Sequence, residues 1–254
     1  MENLWNNLKI GLKDYLDKNG FNKVILGLSG GLDSAIVAVL AADILGGKNV
    51  KAIMMKTQFT SDLSIKIARE IATLNNLDYQ ELDINEIVNN EVRFLQDAFN
   101  EDVKDIVIEN LQARIRGQIL MAYSNQTGWM VLACGNKSEA LTGYCTLYGD
   151  TCGALMPIGN VYKTTIFKLA EWRNNIGYAL PIAVITRAPS AELAVNQKDE
   201  NTLPPYPILD DILKQVVDEK RDIIEGDETV VTRVKNLVKN AQFKLAQMPK
   251  KLDI

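Results

Sequence analysis

Lys23-Val24-Ile25-Leu26-Gly27-Leu28-Ser29-Gly30-Gly31-Leu32-Asp33-Ser34-Ala35-Ile36-Val37-Ala38-Val39-Leu40 is the stretch that decides the fold. Its first part is short, apolar and β-branched, and reads as a buried strand. Its last part is longer and rich in Ala and Leu, and reads as a helix. Between them, Ser29-Gly30-Gly31 lets bare backbone amides approach whatever sits at the helix N-terminus. Unpaired N–H groups and the positive end of the helix dipole suit a phosphate there. Asp33 and Ser34 add an acid and a hydroxyl on the first helical turn, and an acid in that place can hold Mg²⁺ on a polyphosphate.

Two other phosphate loops are excluded by their residues. The P-loop pattern Gly-x-x-x-x-Gly-Lys-Ser/Thr is absent. So is Gly-x-Gly-x-x-Gly after the strand, the dinucleotide fingerprint. Ser-Gly-Gly-x-Asp-Ser instead resembles the pyrophosphate loop of the ATP pyrophosphatases. That resemblance implies cleavage of ATP to AMP and pyrophosphate, with adenylation of a substrate oxygen. The plain alternative is a Gly-rich βα turn without a ligand.

Composition narrows the chemistry. The chain has 254 residues, 47% hydrophobic and 24% charged, ordinary for a globular protein. Residues 1–254 are expected to form one α/β domain, with the N-terminal helix 2–19 and C-terminal helices within 208–247 packing on the core or on a partner. A net charge of −4 gives no general attraction to nucleic acid. Met1-Glu2-Asn3-Leu4-Trp5 lacks the basic start of a signal peptide, and no window reaches the ~18 apolar residues of a membrane helix. These features predict a cytoplasmic protein with neither nucleic-acid nor membrane partners. Cys134, Cys145 and Cys152 show no C-x-x-C and read as free thiols. Histidine is absent, which removes the Ser-His-Asp triad, Cys-His proteases and most zinc catalysis. Chemistry must come from metal-bound phosphates, carboxylates, lysines, arginines and backbone.

Along the chain, strands and helices alternate. Leu4, Leu8, Leu12 and Leu16 give residues 2–19 one apolar face, with Gly20 as cap. Strands are expected at 23–28, 50–55, 79–84 and 129–134, and helices at 33–45, 61–74, 85–99, 103–126, 163–176, 208–220 and 227–247. This alternation implies a doubly wound, Rossmann-like parallel sheet with helices on both faces. Residues 143–160 are broken by Gly143, Gly149, Gly153, Pro157 and Gly159 and read as a functional loop or lid. The Pro-rich run 186–207 reads as a second mobile loop. Lys250-Lys251 reads as a solvated end.

Gly135-Asn136-Lys137-Ser138-Glu139 follows the fourth strand as Ser29-Gly30-Gly31 follows the first. In doubly wound sheets ligands bind past the carboxyl ends of strands where strand order reverses. If strands one and four are neighbours there, Asp33 and Glu139 face one ligand and make a Mg²⁺ site on a triphosphate. Alone, Glu139 would be a helix-start carboxylate on the dipole.

At this point the resemblance becomes narrow. Leu111-Gln112-Ala113-Arg114-Ile115-Arg116, Asn136-Lys137-Ser138-Glu139, Gly143-Tyr144-Cys145-Thr146-Leu147-Tyr148-Gly149-Asp150, Lys163-Thr164 and Pro189-Ser190-Ala191-Glu192-Leu193, in this order within about residues 20–245, resemble the NAD synthetases. The resemblance implies ATP-dependent amidation of nicotinic acid adenine dinucleotide (deamido-NAD) to NAD with ammonia, Mg²⁺ as cofactor, and a homodimer with sites near its interface. It implies ATP contacts from Gly27, Leu28, Ser29, Gly30, Gly31, Leu32, Asp33, Ser34, Cys134, Lys163 and Ser190. It implies metal binding by Asp33 and Glu139, catalysis by Asp33 and Lys163, and deamido-NAD contacts from Arg114, Phe243 and Lys244.

There are departures. Cys134 stands where the family usually has a threonine, so its contact would be through backbone. Leu147 and Ala154 stand where many ammonia-dependent members have a lysine and an aspartate, and Phe243 replaces a histidine. The run from Tyr144 to Asp150 looks more like the synthetase half of glutamine-dependent members, yet 254 residues leave no room for an amidase domain. Free ammonia, or ammonia from a separate glutaminase, is therefore the expected donor. The rival readings are another ATP pyrophosphatase, of the GMP synthetase or tRNA-modifying type, and a non-catalytic nucleotide sensor. A tRNA-modifying enzyme would want a basic face or paired cysteines. A sensor would not need both Asp33 and Glu139.

Overall fold

Four parallel strands run side by side in the order β3-β2-β1-β4: β1 (Val24–Gly27), β2 (Val50–Lys56), β3 (Asp78–Asp83) and β4 (Met130–Val131). The computed structural model describes residues 1–195 and 197–253. Residue 196, inside the expected 186–207 loop, and residue 254 lie outside the described residues. Val24 pairs with Val50 on one side of β1 and with Met130 on the other. The chain therefore leaves β1 in one direction through β2 and β3, and returns on its opposite side at β4.

Strand alternation splits the core in two. Val24, Leu26, Val50 and Ala52 face α1 (Glu2–Lys18), α2 (Leu32–Leu45), α3 (Asp62–Leu74) and α7 (Lys163–Ile176). Ile25, Ile53 and Met55 face α4 (Asn85–Phe99) and α5 (Asp105–Thr127). Helices thus cover both faces of a parallel sheet, the doubly wound α/β architecture. α2 has no polar side: Leu32 and every residue from Ser34 to Ala41 are buried. A third cluster joins α6 (Lys137–Thr142), α9 (Tyr206–Leu213) and α10 (Glu228–Leu245) through Leu209, Ile212, Leu213 and Val234.

Several elements differ from their sequence-based expectation. On α1, Trp5 rather than Leu4 completes the buried stripe with Leu8, Leu12 and Leu16. The fourth strand pairs with β1 over two residues only. Beyond Val131 the backbone turns to a new neighbour: Ala133 N–H donates to Leu155 O (2.9 Å), and Ala154 N–H to Val131 O (2.9 Å). Leu155–Met156 is itself a short strand, β5, paired with β6 (Lys250–Lys251), so the expected solvated lysine tail is part of a two-stranded sheet. The segment 143–160 is packed wall rather than lid. Gly117 of α5 and Gly149 allow this approach, because a Cβ on Gly117 would meet Tyr148 O at 2.8 Å and one on Gly149 would meet Ala113 C at 2.9 Å. The segment 186–207 opens on the end of a short helix, α8 (Ile182–Thr186), and among its described residues has a 3₁₀ turn at Asp199–Asn201 before α9 begins at Tyr206. The helix expected over 208–220 stops at Leu213. A wide π-type turn, Lys214–Asp218, follows, in which Gln215 turns inward to accept from Glu225 N–H (2.8 Å) and donate to Glu225 O (3.3 Å).

Candidate functional site

A cavity of about 520 Å³ opens past the carboxyl ends of β1, β2 and β4, where strand order reverses. The turn after β1 forms its floor. Ser29 Oγ accepts from Gly31 N–H (3.2 Å) and lies 3.2 Å from Ser34 Oγ, which accepts from Ser29 N–H (3.3 Å) and donates to Gly31 O (3.1 Å). Gly30 has φ +79, and any side chain there would collide with the Ser64 carbonyl at the start of α3. The loop is thus wedged between α2 and α3 with the α2 N-terminus aimed into the cavity.

Asp33, on the first turn of α2, meets the turn after β4 through one residue. Asn136 Nδ2 donates to Asp33 Oδ1 (3.1 Å), while Asn136 N–H donates to Glu139 Oε2 (3.1 Å) and Asn136 Oδ1 accepts from Glu139 N–H (3.0 Å). This is a capping box at the start of α6, and it holds Glu139 on the dipole and on the cavity at once. Lys163, at the start of α7, is buried and donates its ammonium to Asp33 Oδ2. Burial works against the charge on Lys163, but Asp33 and Glu139 outweigh it and raise its pKa. Burial and the Asp33 charge push the Glu139 carboxyl well above the usual carboxylate range. Two oxygen-donor carboxylates facing one cavity, with no cluster of three metal-ligating side chains among the described residues, fit a hard divalent cation that keeps phosphate and water ligands. Such a cation would also offset the repulsion between Asp33 and Glu139.

The structure brings Gly27, Ser29, Gly31, Leu32, Asp33, Ser34, Cys134, Glu139, Lys163, Ser190 and Lys244 around this cavity. Lys244 reaches from α10 to donate to Gly143 O (2.8 Å) and Cys145 O (2.7 Å). Ser190 spends its hydroxyl on Gln197 O (2.6 Å). Leu28 lies in the core and Gly30 packs against α3, and neither lines the cavity. Arg114 and Phe243 are also outside its lining: Arg114 is exposed with Nε on Leu147 O (3.2 Å), and Phe243 is 61% exposed. Cys134 lies part-buried beside the two carboxylates, and burial pushes its thiol far up, the state of an unreactive thiol.

Three groups escape sequence reasoning. Asp199 is 4% exposed, lines the cavity, and accepts from Tyr206 OH (2.8 Å) and Tyr144 OH (3.3 Å); burial raises its pKa. Glu192, at φ +49, accepts from Ser61 Oγ, Ser64 Oγ and Arg187 Nη2, all at 2.8 Å, and so ties residues 187–199 to the start of α3. Arg116 lines the cavity and donates through Nε to Met55 O (3.0 Å), and burial pulls its pKa down to about 10. Only Arg116 carries a local signal, as a basic residue on the inward face of α5.

A glycine loop after β1, a carboxylate pair across the strand-order reversal and a buried lysine define a nucleotide-binding α/β protein of the N-type ATP pyrophosphatase kind. The model of one family, NAD synthase, matches residues 4–248. The chain belongs to the NAD synthase family, a family of carbon–nitrogen ligases. It is 48% identical over 219 residues, 85% of its length, to the glutamine-dependent NAD(+) synthetase of Xanthomonas campestris pv. campestris, of which it covers 40%. It resembles the structure of glutamine-dependent NAD+ synthetase from Acinetobacter baumannii in complex with ADP (TM-score 0.71, 38% identity, covering 99% of this chain and 46% of that one). It also resembles NH3-dependent NAD synthetase from Campylobacter jejuni (TM-score 0.81, 28% identity, covering 99% and 98%). The chain thus spans less than half the length of these two glutamine-dependent proteins.

Proposed function

We propose that these residues catalyse ATP-dependent amidation of deamido-NAD to NAD with ammonia, through an acyl-adenylate, releasing AMP and pyrophosphate. The carrying observation is the meeting of Asp33, Glu139 and Lys163 at the N-terminus of α2. A carboxylate is a poor electrophile, so its oxygen must become a leaving group. Attack of the nicotinate carboxylate on the α-phosphorus does this and puts charge on departing pyrophosphate. The α2 N-terminus and the Ser29 and Ser34 hydroxyls receive that charge, and Lys163 turns from Asp33 toward it. Mg²⁺, held by Asp33 and Glu139, would supply further charge neutralisation on the phosphates. Ammonia then attacks the activated carbonyl and AMP leaves. The segment 187–199, tied down by Glu192, keeps water from the adenylate.

Ammonia is the proposed nitrogen species whether it arrives free or is released from glutamine elsewhere. The full-length likeness to an NH3-dependent synthetase supports this reading of these 254 residues. A homodimer of single synthetase domains in the cytoplasm is proposed with it. Arg114 and Phe243, outside the cavity, would then meet the part of deamido-NAD that extends beyond it. The test is product analysis with ATP, Mg²⁺, ammonium and deamido-NAD. Equal amounts of NAD, AMP and pyrophosphate are expected, and release of ADP and phosphate overturns the reading.

A further inference from the structure

The geometry points to Asp210 as a positioning residue that fixes Lys163 against Glu139. The inference rests on the proposed function for its catalytic consequence. Asp210 lies on α9, is 1% exposed, and has no lysine or arginine within ion-pair distance among the described residues. A buried carboxylate without a cation is costly unless donors surround it. Two donors do. Ser138 Oγ donates to Asp210 Oδ1 (2.5 Å), and Thr164 N–H donates to Asp210 Oδ2 (2.8 Å).

Those donors belong to the two elements that carry the site. Ser138 precedes Glu139 on α6, and Thr164 follows Lys163 on α7. The circuit closes at Ser138, whose Oγ also accepts from Lys163 N–H (3.0 Å). One carboxylate therefore holds the starts of two helices, and both charged groups stand one residue from the atoms it holds. α7 has no side-chain cap of its own at Tyr162. Asp210 supplies that cap from a third helix, with its negative charge on the positive end of α7. A carboxylate that only filled the core would be replaceable by an apolar side chain. This one sets the distance between the ammonium of Lys163 and the carboxylate of Glu139.

The test compares Asp210→Asn, Ser138→Ala and the double variant with wild type, well below every melting temperature. Asn keeps an acceptor for Thr164 N–H but loses the charge and the acceptor for the Ser138 hydroxyl. Turnover is expected to fall on the order of 10- to 100-fold in Asp210→Asn, the scale of a slight misplacement of reacting groups. The KM for deamido-NAD should stay within about twofold, and Ser138→Ala should lose less. The double variant should lose less than the product of the two single losses, because both changes cut the Ser138–Asp210 hydrogen bond, although Ser138→Ala also removes the acceptor of Lys163 N–H. Wild-type turnover in folded Asp210→Asn, or multiplied losses in the double variant, overturns the inference. Calorimetric titration with MgATP separates this from the functional reading, since it needs no turnover. If wild type makes no NAD, the function falls, and Asp210→Asn must still bind MgATP about tenfold more weakly; unchanged affinity then overturns the positioning role.

Discussion

Asp33 stands between two roles, because it lines the cavity while Oδ2 is already engaged by the Lys163 ammonium. Asp33→Asn removes a charge that both Lys163 and the proposed cation use. Turnover should drop on the order of 10²-fold or more. Stability should fall by about 1–3 kcal/mol, as Lys163 loses its direct partner but keeps Glu139 beside it. Activity assay and denaturant melt check both, and near-normal turnover would remove Asp33 from the site. Asp199 gives a pH signature. Burial holds its folded pKa above the unfolded value, so the folded state keeps a proton that the unfolded chain gives up. Its contribution to stability is complete at acid pH and fades as pH rises through the folded pKa. Asp199→Asn cannot ionise, so its stability relative to wild type should improve as pH rises from about 4. Parallel melting curves at pH 4 to 7 would contradict this. Ser29, Gly31, Asp33, Ser34 and Glu139 could be brought together from the sequence because each sits at a strand end or helix start that local pattern marks, whereas Lys163 entered through the family resemblance alone. Asp199 was not legible, since its burial depends on Tyr144 and Tyr206 arriving from other elements.

Elements were legible where their own residues dictate them. The apolar run of α2 and its stop at Gly46 (φ +77), and the Ser61 cap of α3, whose hydroxyl accepts from Ser64 N–H (3.2 Å), are local physics. β4 was overextended because Trp129 to Cys134 is uniformly apolar, and only the tertiary switch from β1 to β5 ends it. The glycines of 143–160 suggested looseness, yet Gly149 exists to let the backbone touch α5. The segment 187–199 likewise has little regular structure but is fastened on two sides, by Glu192 on α3 and by Gln112 Nε2 of α5 donating to Leu193 O (3.0 Å). Glu192→Ala removes the acceptor of four hydrogen bonds, from Ser61 N–H, Ser61 Oγ, Ser64 Oγ and Arg187 Nη2. This segment should then become the first site of cleavage in limited proteolysis, several-fold faster than in wild type, with the global melt little changed. Equal cleavage rates would show that Glu192 is not the fastening.

For the whole molecule, the absence of histidine removes the side chain whose ordinary pKa lies nearest neutrality from any pH–rate profile. In the proposed reaction the nucleophile is neutral ammonia, because ammonium has no lone pair. At fixed, limiting total ammonium, the rate should climb with pH across the neutral range in step with the free-ammonia fraction. A flat profile would exclude ammonia capture as the step observed.

Under the proposed function, the Lys163–Asp33 ion pair makes substrate entry an exchange of cations. The acidic nest of Asp33 and Glu139 already holds a resident counter-ion, supplied by the protein itself. A bare divalent ion would have to evict that incumbent with nothing to offer it in return. A nucleotide would bring phosphates on which the evicted ammonium can settle, so the proposed metal and triphosphate would enter as one cargo, and until then Lys163 keeps Asp33 neutralised.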